Sequence, residues 1–575
     1  MAFQFWRHLV PATALQQLID LQRSLYDRAL TEAREYSGAD SVAIGKYQQE
    51  FEASLPTAFE SINERKLLSA MDSSKIVLFG DFHSHKQNQR AFLKILSSYQ
   101  HRPDHAPITV YLEMFKSKDQ AHLDRWQAGD STDQELQEAI KYHQTWGFPW
   151  NNYCPILHYC RHHQIPLIGI NTARGGKDSL EKRDAHAAAI IHKFRKGHLA
   201  AKSLCLIGEF HLADRHLPSA LTTHRSATTT AVPLRIFANL DKYFFANNPN
   251  KLHQQDEYLS LNKSTYCVIN SPPWMKWHSH SLCEEIRRVG PIPYLETKLP
   301  EAAEAQEFQL WADDDERLYA HDTMDLDQQL RDLQQQIATF LNIRVSADIF
   351  DRFNVVHGSL EDQLVHMPKQ ELGAFLVRAS TDGFAVEFSG RIVYIPVISI
   401  NNLAAAAGQM LFGSLSQIKE SYTDGGQLFT QQCLKYVFGF ITNKLLNPRL
   451  PLHSIGDLET YLESCKGKKL RGLSARRRGV ADATLKLHTW ISDKCVVTSK
   501  KSVAAPNIPS TFLKLNSQSS DDICRSLAQL ISQPICRGLV SGKIDTADIQ
   551  KYMLRDCKNE KTAKTTLAEM ILLIE

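Results

Sequence analysis

The chain has 575 residues, 43% hydrophobic and 22% charged, enough to bury several cores and form two to four domains. Its 66 Lys and Arg against 63 Asp and Glu leave a formal charge of +3, a balance that gives no general reason to expect nucleic acid or an anionic membrane as main partner. No stretch reaches the roughly 18 uninterrupted apolar residues of a membrane span, the start Met1-Ala2-Phe3-Gln4-Phe5-Trp6 lacks the pattern of a secretion signal, and 11 scattered cysteines contain no CxxC, so a cytoplasmic protein with reduced thiols is expected.

Residues 1–72 read as a helical segment, with Leu15, Leu18, Leu21 and Leu25 at spacings of three and four, a break at Ser37-Gly38 and a second helical stretch at about 45–71. From Lys75 the pattern changes to short apolar runs separated by helix-length segments. These runs are Ile76–Phe79, Ile108–Leu112, Pro166–Ile170, Leu204–Ile207, Leu234–Phe237 and Tyr266–Ile269. Six buried strands alternating with helices predict an α/β domain over 73–283, a parallel doubly wound sheet with flanking helices.

Past Pro291-Ile292-Pro293 the alternation stops. Residues 284–345 read as a helical connector, acidic and Gln-rich from 300, with Leu326, Leu330 and Leu333 at helical spacing. Residues 346–500 read as an α+β domain: Ala374–Ser399 holds three β-rich runs broken by Thr381-Asp382-Gly383 and Ser389-Gly390-Arg391, followed by the Ala404–Ala407 run and helical patterning to about Leu446. Lys500–Asp521 reads as a linker to a small helical end at 522–575.

In an open α/β sheet ligands sit at the carboxyl ends of the strands, and here those ends are polar. The first run ends Gly80-Asp81-Phe82-His83, the second at Glu113, the third at Asn171, the fourth Gly208-Glu209-Phe210-His211, and the sixth at Asn270. In extended backbone, residues two apart share a face, which would set Asp81 beside His83 and Glu209 beside His211, with each glycine letting the strand turn sharply. Asp81, His83, Glu113, Glu209 and His211 could ligate a divalent cation, or they could place a water for a general base with a carboxylate fixing the imidazole tautomer. The plainer alternative is two strand-terminal histidines that only hydrogen-bond locally.

Taken with Leu112-Glu113-Met114-Phe115, Trp146-Gly147-Phe148-Pro149, Tyr153, Pro155, Pro166–Asn171 and Arg174, the two GxxH motifs follow one another as in ChaN-like haem-binding uptake domains, of the superfamily that includes Tiki, TraB and the erythromycin esterases. The resemblance covers about 73–283. It implies a functional site at His83, His211 and Glu113, and haem as a ligand. The sequence departs from that family's pattern in having Asp81 where Glu is usual, and in lacking its secretion signal and lipid-bearing Cys.

Other segments support or extend this reading. Trp146, Phe148 and Trp150, with Tyr142 and Tyr153, could wall a flat apolar ligand or simply staple a helix start. Arg174 could bind a propionate, or belong to a surface loop. Ser271–Trp277 could form an aromatic lid or pack inertly. His158 and His162 read as solvated, and the seven cations between Lys466 and Arg478 as a flexible loop. The reading that follows is a protein binding haem or a metal ion at the carboxyl face of its sheet, with Trp146, Phe148, Tyr153 and Arg174 around the haem. The alternatives are a metal-dependent or His-based hydrolase of an amide or ester, and an interaction scaffold with a degenerate site.

Overall fold

All six residues of Ile76–Asp81 are buried, and a strand with no polar face can only lie inside a sheet covered on both sides. The computed structural model of the chain describes residues 13–37, 42–223, 232–246, 251–289 except 253 and 255, 318–319, 326–356, 367–418, 425–499, 502–504, 506–513 and 517–573. Among these residues the main sheet has eight strands: β1 (Glu60–Ile62), β2 (Ile76–Asp81), β3 (Ile108–Lys116), β4 (Leu167–Asn171), β5 (Lys202–Gly208), β6 (Leu234–Ala238), β7 (Glu257–Asn262) and β8 (Thr265–Ile269). Their order is β1-β7-β8-β6-β2-β5-β3-β4.

The six expected strands run parallel. The other two make the sheet mixed: β7 pairs antiparallel with β8, and β1 antiparallel with β7 at the edge. A two-residue turn, Lys263-Ser264, joins β7 to β8. The alternating polar residues of β7 gave it no apolar run to be recognised by.

The connections from β2 to β3 to β4 advance across the sheet, and those from β4 to β5 to β6 return. Right-handed crossovers therefore put helices Lys86–Gln100 and Trp150–His162 on one face, where they pack together. Helices Leu180–Gly197 and Leu217–Thr223 pack together on the other. The neighbours β2 and β5 lead into connections on opposite faces, which opens a crevice at their carboxyl ends. Their register sets Asp81 across from Gly208, so the twin motifs stand side by side.

Compact-unit boundaries fall elsewhere than the expected domain limits. The described residues within 25–247 and 254–312 form one unit, and those within 1–24, 248–253 and 313–575 form another. In the second unit, the first β-rich run after Ala374 is part of helix Lys369–Asp382, because Phe375 and Ala379 bury one helical face and Gly383 caps it with φ +79°. Helix Ser517–Ser541 is no separate end: it packs along Gly425–Leu446, with Tyr436 donating to Asp521 at 2.7 Å and Ser532 to the Val437 carbonyl at 3.1 Å. The Pro291–Pro293 hinge, the acidic stretch up to 317, and parts of 500–521 lie outside the described residues. Among the described residues no helix is long and apolar enough to cross a membrane.

The core under the site is continuous from Val77 and Phe79 through Phe92 and Leu96 to Leu157, with Phe79 and Phe92 meeting edge to face at 5.4 Å. Phe92→Ala should therefore lower unfolding free energy by about 3–5 kcal/mol. Chemical denaturation followed by circular dichroism checks this, and a loss below about 1 kcal/mol would contradict the packing described.

Candidate functional site

Beyond the end of β2, the alternation of an extended chain brings His83 back onto the face of Asp81, with His83 Nδ1 2.9 Å from Asp81 Oδ2. Tyr153 donates to the same Oδ2 at 2.8 Å, and Gln89 Nε2 donates to Oδ1. An ionised carboxylate only accepts, so Asp81 draws the imidazole proton to Nδ1 and turns the Nε2 lone pair outward. Nε2 lies 3.7 Å from Glu113 Oε2, and the His83 side chain keeps 20% of its surface exposed. Trp146 and Phe148 pack on the His83 ring, with centroids at 4.6 and 4.9 Å. Tyr153 is buried beneath, and burial, then the Asp81 charge, holds its hydroxyl well above the usual tyrosine range.

The second motif ends differently. β5 stops at Gly208, and Glu209–Leu212 forms a tight 3₁₀ turn, so the two-residue alternation does not carry through it. His211 Nδ1 meets Asp184 Oδ1 at 2.6 Å, on helix Leu180–Gly197; the orienting acid is Asp184 where the sequence suggested Glu209. Burial lowers the His211 pKa. Burial raises that of Asp184, but the hydrogen bonds from His211 and His216 more than offset it and leave it low. Glu209 is buried with no hydrogen-bond partner for Oε2 among the described residues. Desolvation pushes its carboxyl from 4.5 up to about 7 against the pull of Lys276.

Glu113 stands between the two histidines. Its Oε2 accepts the Gly208 N–H at 2.6 Å, and its Oε1 pairs with the Arg183 guanidinium and lies 3.5 Å from His211 Nε2. The glycines serve space here rather than the sharp turn expected: Gly208 has φ −48°, and neither it nor Gly80 has a positive φ. A Cβ on Gly208 would lie 3.2 Å from His83 Nε2, and one on Gly80 would lie 3.3 Å from Glu209 Cβ.

Other predicted residues fall outside this cluster. Arg174 is 67% exposed, its Nε 3.9 Å from Asp178. Trp150 turns its Nε1 to Asp133 at 3.2 Å and its ring to Tyr142 at 5.0 Å. Ser271–Trp277 runs into helix Pro273–Val289 instead of forming a lid: Trp274 is buried, and Trp277 donates to Asp241 at 2.7 Å and meets Phe82 edge-on at 5.6 Å. His158 pairs with Asp133 at 2.9 Å. The basic stretch becomes helix Gly472–Lys494, where Arg476 binds Asp522.

Among the described residues no group of three or more His, Cys, Asp or Glu could hold a metal ion. A guanidinium already neutralises Glu113 Oε1. Sequence reasoning missed Gln89, Arg183, Asp184, His216 and Glu50; the one available signal was a charged Arg183-Asp184 pair inside a helix expected to cover the sheet.

Residues 67–202 match the family described as haem-binding uptake, Tiki superfamily, ChaN. That segment is ChaN-like. It contains Asp81, His83, Glu113, Arg183 and Asp184, and ends before His211. A solved structure entitled "Cofacial heme binding to ChaN of Campylobacter jejuni" is similar at 16% identity, over 36% of this chain and 92% of that chain, with a TM-score of 0.25. No curated protein matches the sequence.

The state of Glu209 is measurable. Its folded pKa is raised from 4.5 to about 7, so the unfolded chain releases this proton first, and stability attributable to Glu209 falls as pH rises through that window and is flat above it. Glu209→Gln should gain relative to wild type from pH 5 to 8 by up to about 3 kcal/mol. Denaturation midpoints of both proteins across that range would show it, and a constant difference would show that Glu209 ionises normally.

Proposed function

We propose that the α/β unit binds haem at the carboxyl ends of β2, β5 and β3, with His83 as the axial donor. The observation that carries this is a partly exposed imidazole whose Nδ1 is held by Asp81 while its Nε2 is beyond hydrogen-bond length from Glu113. Trp146 and Phe148, already packed on that ring, supply apolar surface at the edge of the slot. Arg174 is exposed enough to turn toward a propionate. Bound haem would supply an iron centre whose spectrum and potential follow its axial ligand.

Tyr153 changes role in this reading. Its hydroxyl is committed to Asp81, so it orients the acid that orients His83. His211, 3% exposed, braces Glu113 and is no iron donor. A cytoplasmic setting belongs to the same proposal, supported by 11 cysteines that are all free thiols.

The Asp81–His83 pair favours one other reading, a His-based hydrolase of an amide or ester, since an acid at Nδ1 and an open Nε2 are what a general base needs.

Haem titration followed by the Soret band separates the two. Wild type should bind, His83→Ala should bind at least about tenfold more weakly, a loss of ~1.4 kcal/mol, with a shifted Soret maximum, and Arg174→Ala should lose several-fold. Absence of a Soret band in wild type, or unchanged affinity in His83→Ala, would overturn the haem reading. Ester hydrolysis lost in His83→Ala would then install the hydrolase.

A further inference from the structure

A line of alternating acids and imidazoles leads away from the strand ends. Asp184 stands between two histidines, Oδ1 2.6 Å from His211 Nδ1 and Oδ2 3.0 Å from His216 Nδ1. His216 Nε2 in turn lies 3.1 Å from Glu50 Oε2, on helix Val42–Ser54. The side chains of Asp184, His211 and His216 are each 3% exposed, and that of Glu50 18%. Tyr47 packs edge-on against His216 at 5.5 Å, and Lys46 and Arg215 approach the outer Glu50 oxygen, both at 3.9 Å.

The charges of this line are fixed by its hydrogen bonds. His216 faces a carboxylate at each nitrogen, and a ring with both bonds made to acceptors carries two protons. Consistent with this, its hydrogen bond to Asp184 raises the His216 pKa above 6.5 despite burial. Ionised Asp184 offers only lone pairs, so it also draws the single proton of His211 to Nδ1. His211 Nε2 is then a bare lone pair 3.5 Å from Glu113 Oε1, unable to bond to it. With the proton on Nε2 instead, His211 would donate to Glu113 and compete with Arg183 and with Gly208 for that carboxylate.

We propose that Glu50, His216 and Asp184 are positioning residues, a relay that fixes the tautomer of His211 and so holds Glu113 between Gly208 and His83. Helix Val42–Ser54 thereby becomes part of the site. The proposal rests on reading the strand ends as the haem site, but its decisive measurement needs no haem.

The measurement is nitrogen-15 NMR of the full chain with labelled histidine, the His211 and His216 signals being assigned from His211→Gln and His216→Gln. In wild type His211 should be protonated at Nδ1 alone and His216 at both nitrogens at pH 7. Asp184→Asn presents an amide that can donate to Nδ1, so His211 should switch to the Nε2–H tautomer, as the Asp→Asn change in a catalytic triad does. Glu50→Gln, at the exposed end, should turn His216 singly protonated without unfolding the chain. An unchanged His211 tautomer in folded Asp184→Asn would overturn the relay. If that variant does not fold, an unchanged His216 signal in Glu50→Gln overturns it instead. Haem affinity in Asp184→Asn should fall at least about fivefold, ~1 kcal/mol. A switched tautomer in a protein whose wild type binds no haem would keep the relay and remove the haem reading.

Discussion

One carboxylate holds the site together. Glu113 receives a backbone N–H from β5 and a guanidinium from helix Leu180–Gly197, and it is flanked by an imidazole from each of the two motifs. Buried at 3% exposure, it would cost several kcal/mol unpaired, so the elements that supply its partners cannot move independently. The close approach of β5 to β2 at Gly208 follows from that need, because a side chain there would push directly on His83.

The twin motifs look alike in sequence but end in different surroundings. Both histidines have Nδ1 held by an acid, yet the acid of His83 comes from its own strand and that of His211 from a helix on the other face. The difference begins at one peptide: after Asp81 the chain stays extended for two residues, while after Gly208 it tightens into a turn. An extended step keeps side chains two apart together, and a 3₁₀ step separates them. One histidine is therefore left partly exposed between two aromatic rings, and the other is sealed inside.

What could be read beforehand follows the same divide. The six parallel strands announced themselves because their residues are apolar on both faces, and the carboxyl-end rule then located the site before any coordinate was known. β1 and β7, at the sheet edge, mix polar with apolar residues and left no such mark. His83, Glu113 and His211 were legible as strand-end residues. Asp184, His216 and Glu50 were not, because a buried acid within a helix has the spacing of an exposed one, and only tertiary packing tells them apart. In the second unit, Phe375 and Ala379 were mistaken for a strand because a short apolar run fits either period, and the deciding contact, burial against Val356 and Ile392, lies elsewhere in the chain.

The division of roles between the two histidines also bears on what the crevice can hold. A small cation would need both Nε2 lone pairs and a bare carboxylate between them, but Arg183 already supplies positive charge to Glu113, and one of the two rings is out of reach of solvent. A planar ligand makes a smaller demand: a single outward Nε2, apolar surface beside it, and a cation at the rim. His83 with Trp146 and Phe148 meets the first two without rearranging any buried pair. The buried half of the site then acts as a frame, holding Glu113 and the β5 backbone fixed so that the exposed imidazole has one orientation to offer.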